Sequence, residues 1–160
     1  MSRGLAALFL LTMKLLIITT ILLLLSGCSS NRIERKIVER INLACKSAAA
    51  CTINIKELTD FAWDRMYVFD YRATKDQINQ ALGTPFPNYK ELTRRIVFLK
   101  DSKIVYSEDD PANIEAPINR EVIFDIPNTE VYESYMPDTV FRVEKKEFEN
   151  GVYYSLTQVK

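Results

Sequence analysis

An unbroken apolar run near the amino terminus does most to limit what this chain can fold into. Leu15 to Leu25 carries no charge, follows Met13-Lys14, and leads into the small residues Ser26-Gly27 and then Cys28. A cationic start, an apolar stretch and small residues at a cleavage point are the parts of an export signal. We therefore predict that residues 1–27 do not belong to the folded domain.

Two alternatives stay open for this segment. Translation starts either at Met1 or at Met13, and the second start gives the shorter signal. The stretch from Gly4 to Leu25 is also long enough to span a bilayer as an uncleaved helix. Lys14 lies within that stretch, and a lysine inside the hydrocarbon layer is costly, which favours the cleaved signal.

The residues Leu25-Ser26-Gly27-Cys28 resemble the lipobox of bacterial lipoproteins, in which an apolar residue and two small ones precede the cysteine that takes the lipid. The resemblance implies a palmitate-type lipid on Cys28 and a membrane anchor outside the cytoplasm. In that family an aspartate after the cysteine retains the protein in the inner membrane of Gram-negative cells. The residue here is Ser29, which favours the outer membrane and a protein that faces the periplasm.

The rest of the chain has the size of one ordinary domain. Residues 28–31 form a short tether, and residues 32–160 are predicted to form a single globular domain. After residues 1–27 are removed, 19 basic and 21 acidic residues remain, because Arg3 and Lys14 are the only charges lost. Nucleic-acid binding needs an excess of basic residues, so we predict no nucleic-acid partner.

The sequence contains no histidine, the commonest general base and zinc ligand of proteins. The acidic run Glu108-Asp109-Asp110-Pro111 lacks the glycine and the alternating ligands of a calcium loop and is predicted to be an exposed loop. We therefore predict no metal site, no cofactor and no catalytic residues.

A first helix is predicted directly after the tether, capped by Ser30 or Asn31. Apolar residues recur at helical spacing and should face the core: Ile33, Ile37, Ile41, Ala44, Cys45 and Ala48. Arg32, Lys36 and Arg40 form a second stripe on a neighbouring face. The stripe is interpreted either as a solvated helix face or, because the tether is short, as a contact with anionic lipid head groups.

Cys45 and Cys51 are the two cysteines that remain besides Cys28. In an exported protein an even number of remaining cysteines indicates disulfides, so we predict that these two form one. A bridge needs Cα atoms within about 7 Å. Six residues of continuous helix would rise about 9 Å and turn the two side chains apart. The helix must therefore end between the cysteines, around Lys46 to Ala49.

The stretch from Phe61 to Tyr71 is predicted to be a strand covered on both faces over part of its length. Its aromatic residues occupy odd positions and its aliphatic ones even positions, which is the period of a strand. Trp63, Tyr67 and Tyr71 would then share one face. That face is interpreted mainly as core, and alternatively as a groove for a peptide or glycan.

Local signals predict most of the remaining elements. Thr74 to Gln77 is a capping box that opens a short helix, and Gly83 ends it. The other predicted elements are a loop at 84–88, a hairpin of 95–99 and 103–106 around Asp101-Ser102, a strand at 121–126, irregular structure at 131–138, and a hairpin of 139–148 and 152–159. Hairpin connections favour antiparallel pairing, so we predict an α+β fold with two helices packed on one face of a mainly antiparallel sheet of about five or six strands.

The domain also resembles known proteins. The stretch Trp63 to Phe69, followed by the capped helix, Gly83 and the first hairpin, is similar to a family of small uncharacterised bacterial lipoproteins and secreted proteins, over about residues 60–160. Thr74 to Pro85, followed by a hairpin, is similar to outer-membrane lipoproteins of the SmpA/OmlA kind, which lack the Trp-Asp strand and differ in their order of elements. Neither resemblance implies an activity.

These observations favour a non-catalytic, membrane-anchored envelope lipoprotein that binds or supports another envelope component. The second hypothesis is a peptide- or glycan-binding module that uses residues 61–71, and the third is an enzyme that works without histidine. The expected partners are the membrane, through the lipid on Cys28, and an envelope protein.

Overall fold

The described chain has two short helices in its first half, and its second half consists of strands that follow one another. The computed structural model describes residues 32–45, 51–111, 117–149 and 151–159. Arg32–Lys160 forms one compact unit. The helices are α1 (Ile33–Ala44) and α2 (Lys75–Leu82), with a 3-10 turn at Ile55–Leu58. The strands are β1 (Cys51–Asn54), β2 (Arg65–Phe69), β3 (Thr93–Lys100), β4 (Lys103–Pro111), β5 (Glu121–Phe124), β6 (Tyr132–Tyr135), β7 (Val140–Phe148) and β8 (Gly151–Gln158).

The described strands form two sheets of four. The first sheet has the order β1-β7-β8-β5 and the second the order β4-β3-β2-β6. Neighbouring strands are antiparallel, except that β5 runs parallel to β8. The α+β class with mainly antiparallel pairing is therefore confirmed, but the predicted single sheet of about five or six strands is replaced by two sheets.

The main core lies between the two sheets. Met66 and Val68 of the second sheet share one buried cluster with Phe141 and Leu156 of the first. The apolar stripe of α1 joins the same cluster through Ile33, Ile37 and Ile41, which are at most 4% exposed. Burial of these side chains stabilises the fold by about 1.5–3 kcal/mol each.

A second cluster covers the opposite face of the second sheet. Phe69, Val97 and Leu99 pack there against Ile78 and Leu82 of α2. The prediction that both helices pack on one face is therefore wrong, because α1 packs into the layer between the sheets and α2 outside it. Strand β2 is covered on both faces, as its alternating pattern predicts.

Three local signals act as predicted. The side chains of Thr74 and Gln77 bond each other's backbone N–H at the start of α2, and Gly83 ends this helix with a φ of 68°. Asp101 and Ser102 join β3 to β4 with φ values of 50° and 61°. Positive φ at both central residues is typical of the type I′ hairpin turn, which matches the twist of the strands.

The helix α1 ends at Ala44, one residue before the first cysteine of the predicted pair. Cys45 and Cys51 are disulfide-bonded, with Cα atoms 5.4 Å apart. The helix does not continue to Cys51, as expected, but it ends before Cys45 and not around Lys46 to Ala49, and Ala44 is exposed where the helical spacing predicts a core position. Residues 46–50 lie outside the described residues, as do Cys28 and the predicted caps Ser30 and Asn31.

Three predicted segments differ in the structure. The strand predicted from Phe61 to Tyr71 is only Arg65–Phe69. Tyr132–Tyr135, predicted to be irregular, is a strand that pairs with β2. The run Glu108 to Pro111, predicted to be a loop, belongs to β4, where Asp109 and Asp110 lie opposite Arg95 and Arg94 of β3.

Candidate functional site

A cavity of about 300 Å³ lies beside the core, where the end of β2 and the start of β3 face β5 of the first sheet. Its apolar lining comes from both sheets and consists of Val68, Phe69, Ile96, Val122, Phe124 and Ile126. Its charged lining includes Glu34, in the first turn of α1, and Glu121, the first residue of β5. A concave apolar site with a few polar groups at its mouth is the usual form of a ligand-binding site.

Arg94 and Arg95, at the start of β3, lie on opposite faces of the second sheet. Arg94 lies opposite Asp110 of β4 and lines the cavity. The guanidinium of Arg95 lies 5.0 Å from the ring centre of Phe86 and 4.9 Å from that of Tyr89, outside the layer between the sheets. Successive residues of a strand point to opposite faces, so two adjacent arginines take different roles.

An ion pair joins the two sheets at the mouth of the cavity. The guanidinium of Arg94 contacts the carboxylate of Glu121, whose side chain is only 2% exposed. Asp110 lies 3.7 Å from the same guanidinium. The second carboxylate oxygen of Glu121 accepts a hydrogen bond from the backbone N–H of Ile118 at 3.0 Å. A buried carboxylate needs partners of this kind to remain ionised.

Glu34 brings a further carboxylate to this place. One of its oxygens accepts a hydrogen bond from the backbone N–H of Val122 at 3.3 Å, and the other lies 3.1 Å from the guanidinium of Arg32. Burial raises the pKa of Glu34 above its ordinary value, and the nearby charge of Asp110 raises it further. Glu34 therefore lies where negative charge is only partly neutralised.

Glu108 has a structural role beside the cavity. Its two carboxylate oxygens accept hydrogen bonds from the backbone N–H groups of Ile33 and Glu34, at 2.7 and 3.0 Å. These N–H groups open α1 and would otherwise lack a partner. The hydroxyl of Tyr106 donates to the same carboxylate at 2.5 Å, and burial together with this bond raises the pKa of Tyr106.

The lining of the cavity contains more acid than base. Five carboxylates are part of it, against two arginines. Both arginines already contact carboxylates: Arg94 contacts Glu121, and Arg95 lies 3.2 Å from Asp109. Arg32, which contacts both Glu34 and Asp110, offsets this excess of negative charge only in part, so the site favours a ligand that carries positive charge.

The three aromatic residues of the predicted groove do not share a face. Trp63 is 7% exposed and belongs to the core between the sheets, where its ring centre lies 5.1 Å from that of Phe98. Its indole N–H donates to the hydroxyl of Thr59 at 3.0 Å. Because β2 begins only at Arg65, the period of two does not extend back to Trp63. The prediction that Trp63 and Tyr67 lie on one face is wrong.

Tyr67 and Tyr71 lie elsewhere and are half-buried. Tyr67 packs on the outer face of the second sheet, with its ring centre 6.0 Å from Phe69 and 6.2 Å from Tyr132. Tyr71 follows the end of β2 and lines the cavity. Of the three predicted binding residues, only Tyr71 lies at the candidate site.

The basic stripe of α1 is engaged within the protein. Lys36 lies 3.6 Å from a carboxylate oxygen of Asp60, and Arg40 lies 2.6 Å from one of Glu57. Arg32 contacts Glu34 and lies 3.5 Å from Asp110. Each of these side chains is also partly exposed, and contact with lipid head groups stays a prediction.

The sequence does not single out the charged residues of the cavity. Arg94 and Glu121 are 27 positions apart and belong to different sheets, so no local motif contains both. The only signal is that each stands at the start of an apolar strand, where a charge is unexpected unless it is paired. Within the described residues, no group of three or more acidic residues or cysteines has an arrangement that could hold a metal ion.

Comparisons with models of protein families, with curated proteins and with solved structures find no match for this chain. None of the helices in the described part of the chain is long and apolar enough to cross a membrane.

Proposed function

We propose that this protein is a lipid-anchored, non-catalytic envelope protein that binds another envelope component in the cavity between its sheets. The anchor is proposed from Leu25-Ser26-Gly27-Cys28, and the outer membrane from Ser29. The absence of histidine from the whole sequence supports a binding function over a catalytic one.

The short sequence separation between Cys28 and Glu34 carries the proposal. The compact unit begins at Arg32, only four residues after Cys28. Four extended residues span at most about 14 Å, so a lipid on Cys28 would keep the start of α1 near the membrane surface. Glu34, in the first turn of that helix, lines the cavity. A ligand at the membrane surface would thus lie within reach of the site.

The anchor is tested by replacing Cys28 with serine and labelling cells with radioactive palmitate. We expect this variant to lose the label and to leave the membrane fraction, whereas Ser29→Ala, a change at the next residue that spares the thiol, should keep both. A Cys28→Ser protein that still takes label and sediments with membranes would overturn the anchor.

The binding site is tested by placing a photoreactive phenylalanine analogue at one of two tyrosines in living cells. Tyr71 lines the cavity, whereas Tyr153 is equally half-buried but lies on β8, with its ring beside that of Phe148. We expect an adduct with an envelope component from position 71 and none from position 153. No adduct at 71, or the same adduct from both positions, would contradict the proposed site.

A further inference from the structure

We propose that the cavity between the sheets binds an aliphatic ammonium group, that is, an apolar chain that ends in a primary amine. This inference rests on the proposed function, because it names the chemistry of the ligand at the same site. The argument depends on the walls of the cavity, on the charges at its mouth and on its size.

The walls select an apolar chain. Val68 and Ile96 come from the second sheet, and Val122 and Phe124 from the first, so aliphatic and aromatic groups face the cavity from two sides. Removal of apolar surface from water on such walls is the main source of binding free energy for a small ligand.

The mouth selects a positive end. Glu34 and Asp110 line the cavity with side chains that are 18% and 25% exposed, and Arg32 contacts both of them. An anionic ligand would approach these carboxylates while Arg94 is already held by Glu121. A neutral ligand would dehydrate Glu34 further without compensation. Arg32 and Arg94 together contact three carboxylates, those of Glu34, Asp110 and Glu121, so one negative charge is left without a counter-charge. An ammonium group would supply that counter-charge.

The volume limits the ligand to one short chain. About 300 Å³ is the lower end of the range for small-molecule sites. A lysine side chain of a partner protein and a free alkylamine both have this chemistry. The two sources are distinguished below by offering each as a separate probe.

The experiment is a titration of the full-length mature protein in phosphatidylcholine nanodiscs, with empty nanodiscs as the blank for partition into lipid. The probes are hexylammonium, the neutral hexanol, the anionic hexanoate, and N-acetyl-lysine N-methylamide, which presents the same amine on a peptide unit. We expect hexylammonium to bind about tenfold more tightly than hexanol, because a hydrogen bond to a charged group is stronger than a neutral one, and hexanoate to bind most weakly.

The place of binding is followed by methyl resonances. Ile96, Ile123 and Ile126 line the cavity, whereas Ile53 and Ile78 do not. We expect the first three resonances to shift with hexylammonium and the other two to remain in place. If the lysine probe shifts these methyl resonances at a concentration equal to or lower than hexylammonium needs, the ligand is a partner's lysine. If only hexylammonium shifts them, the ligand is a free amine.

Two variants test the charges. Glu34→Gln keeps an oxygen for the N–H of Val122, and Asp110→Asn keeps the shape of its side chain. Each variant should weaken the binding of hexylammonium about tenfold. Hexanol should bind as before, which also shows that the variant is folded. Glu147→Gln is the matched control, because Glu147 is 77% exposed near the end of β7 and does not line the cavity.

Equal affinities for hexylammonium, hexanol and hexanoate would overturn this inference, and so would full affinity in both charge variants. A Cys28→Ser protein that leaves the membrane should give the same titration without nanodiscs, because the described residues that line the cavity begin at Glu34, beyond the tether. Failure of the anchor would therefore overturn the proposed function and leave the inference about the ligand intact.

Discussion

Arg94 and Glu121 form an ion pair that connects the two sheets, and the two residues differ in how many other charged groups lie near them. Arg94 also has Asp110 at 3.7 Å, whereas Glu121 has a side chain that is 2% exposed and contacts a single arginine in the described structure. Removing the arginine therefore leaves a buried carboxylate without a counter-charge. Removing the carboxylate leaves an arginine that still has Asp110.

We predict that Arg94→Met lowers the free energy of unfolding by about 3–5 kcal/mol, the usual cost of breaking a buried pair. Glu121→Gln should cost clearly less, because glutamine still accepts the N–H of Ile118 and Arg94 keeps Asp110. The double variant should recover most of the loss. Urea unfolding of the three proteins checks this order, and equal costs for both single variants would show that the pair is not buried as described.

Glu108 replaces the missing side-chain cap of α1. Arg32, at the N-cap position, makes no capping bond, and Glu108 from β4 accepts the first two free N–H groups instead. We predict that Glu108→Ala costs about 1–2 kcal/mol, the value of an N-cap, and speeds amide exchange at Ile33 and Glu34. Glu39→Ala, on the exposed face of the same helix, is the control and should change neither. Unchanged amide exchange in Glu108→Ala would show that Glu108 does not cap α1.

Trp63 is a core residue of the layer between the sheets, so its truncation should destabilise the protein. Trp63→Ala should cost about 3–5 kcal/mol, whereas Leu92→Ala, at a large residue that is 58% exposed, should cost little. Trp63 is the only tryptophan, so intrinsic fluorescence checks its environment directly. We expect blue-shifted emission that iodide quenches poorly. Emission like that of free indole in water would contradict the burial.

The pH dependence of stability follows from Glu34. Its pKa is raised on folding, first by burial and then by Asp110, so the folded state holds a proton that the unfolded state releases near pH 4.5. Between that value and the raised pKa the folded state binds more protons, and the contribution of Glu34 to stability falls as pH rises. We predict that Glu34→Gln is more stabilising at pH 7 than at pH 4 in thermal unfolding. A gain in stability that is equal at pH 7 and pH 4 would show that the raised pKa of Glu34 does not cause the pH dependence.

How far the sequence predicts this fold depends on how far apart the interacting residues lie. The capping box at Thr74, the stop at Gly83 and the turn at Asp101-Ser102 are each contained in a few consecutive residues, and all three are found. The pairing of β1 with β7 joins Cys51 to Val143, and no local pattern specifies it. The sequence does not predict the strand β6, because its four residues include Glu133 and Ser134 and show little hydrophobic alternation.

The candidate site was predicted least well for the same reason. A stripe of aromatic residues was the visible feature, yet those residues divide between two clusters because the strand starts later than the pattern indicates. The charges that surround the cavity come from α1, β3, β4, β5 and Asp70, which follows β2. Only the packing of two sheets brings them together, and sequence patterns do not specify how sheets pack.

The strand order of the first sheet also fixes when it can form during synthesis. β1 and β5 are not neighbours, and each pairs only with β7 or β8, which are the last strands in the chain. All four strands of the second sheet, by contrast, are complete by Tyr135. A growing chain can therefore assemble the second sheet while β1, β5 and the apolar stripe of α1 still wait for the final hairpin. During that interval these apolar segments are exposed to aggregation and to chaperones, and a premature stop before β7 would leave a protein with one sheet and an uncovered core.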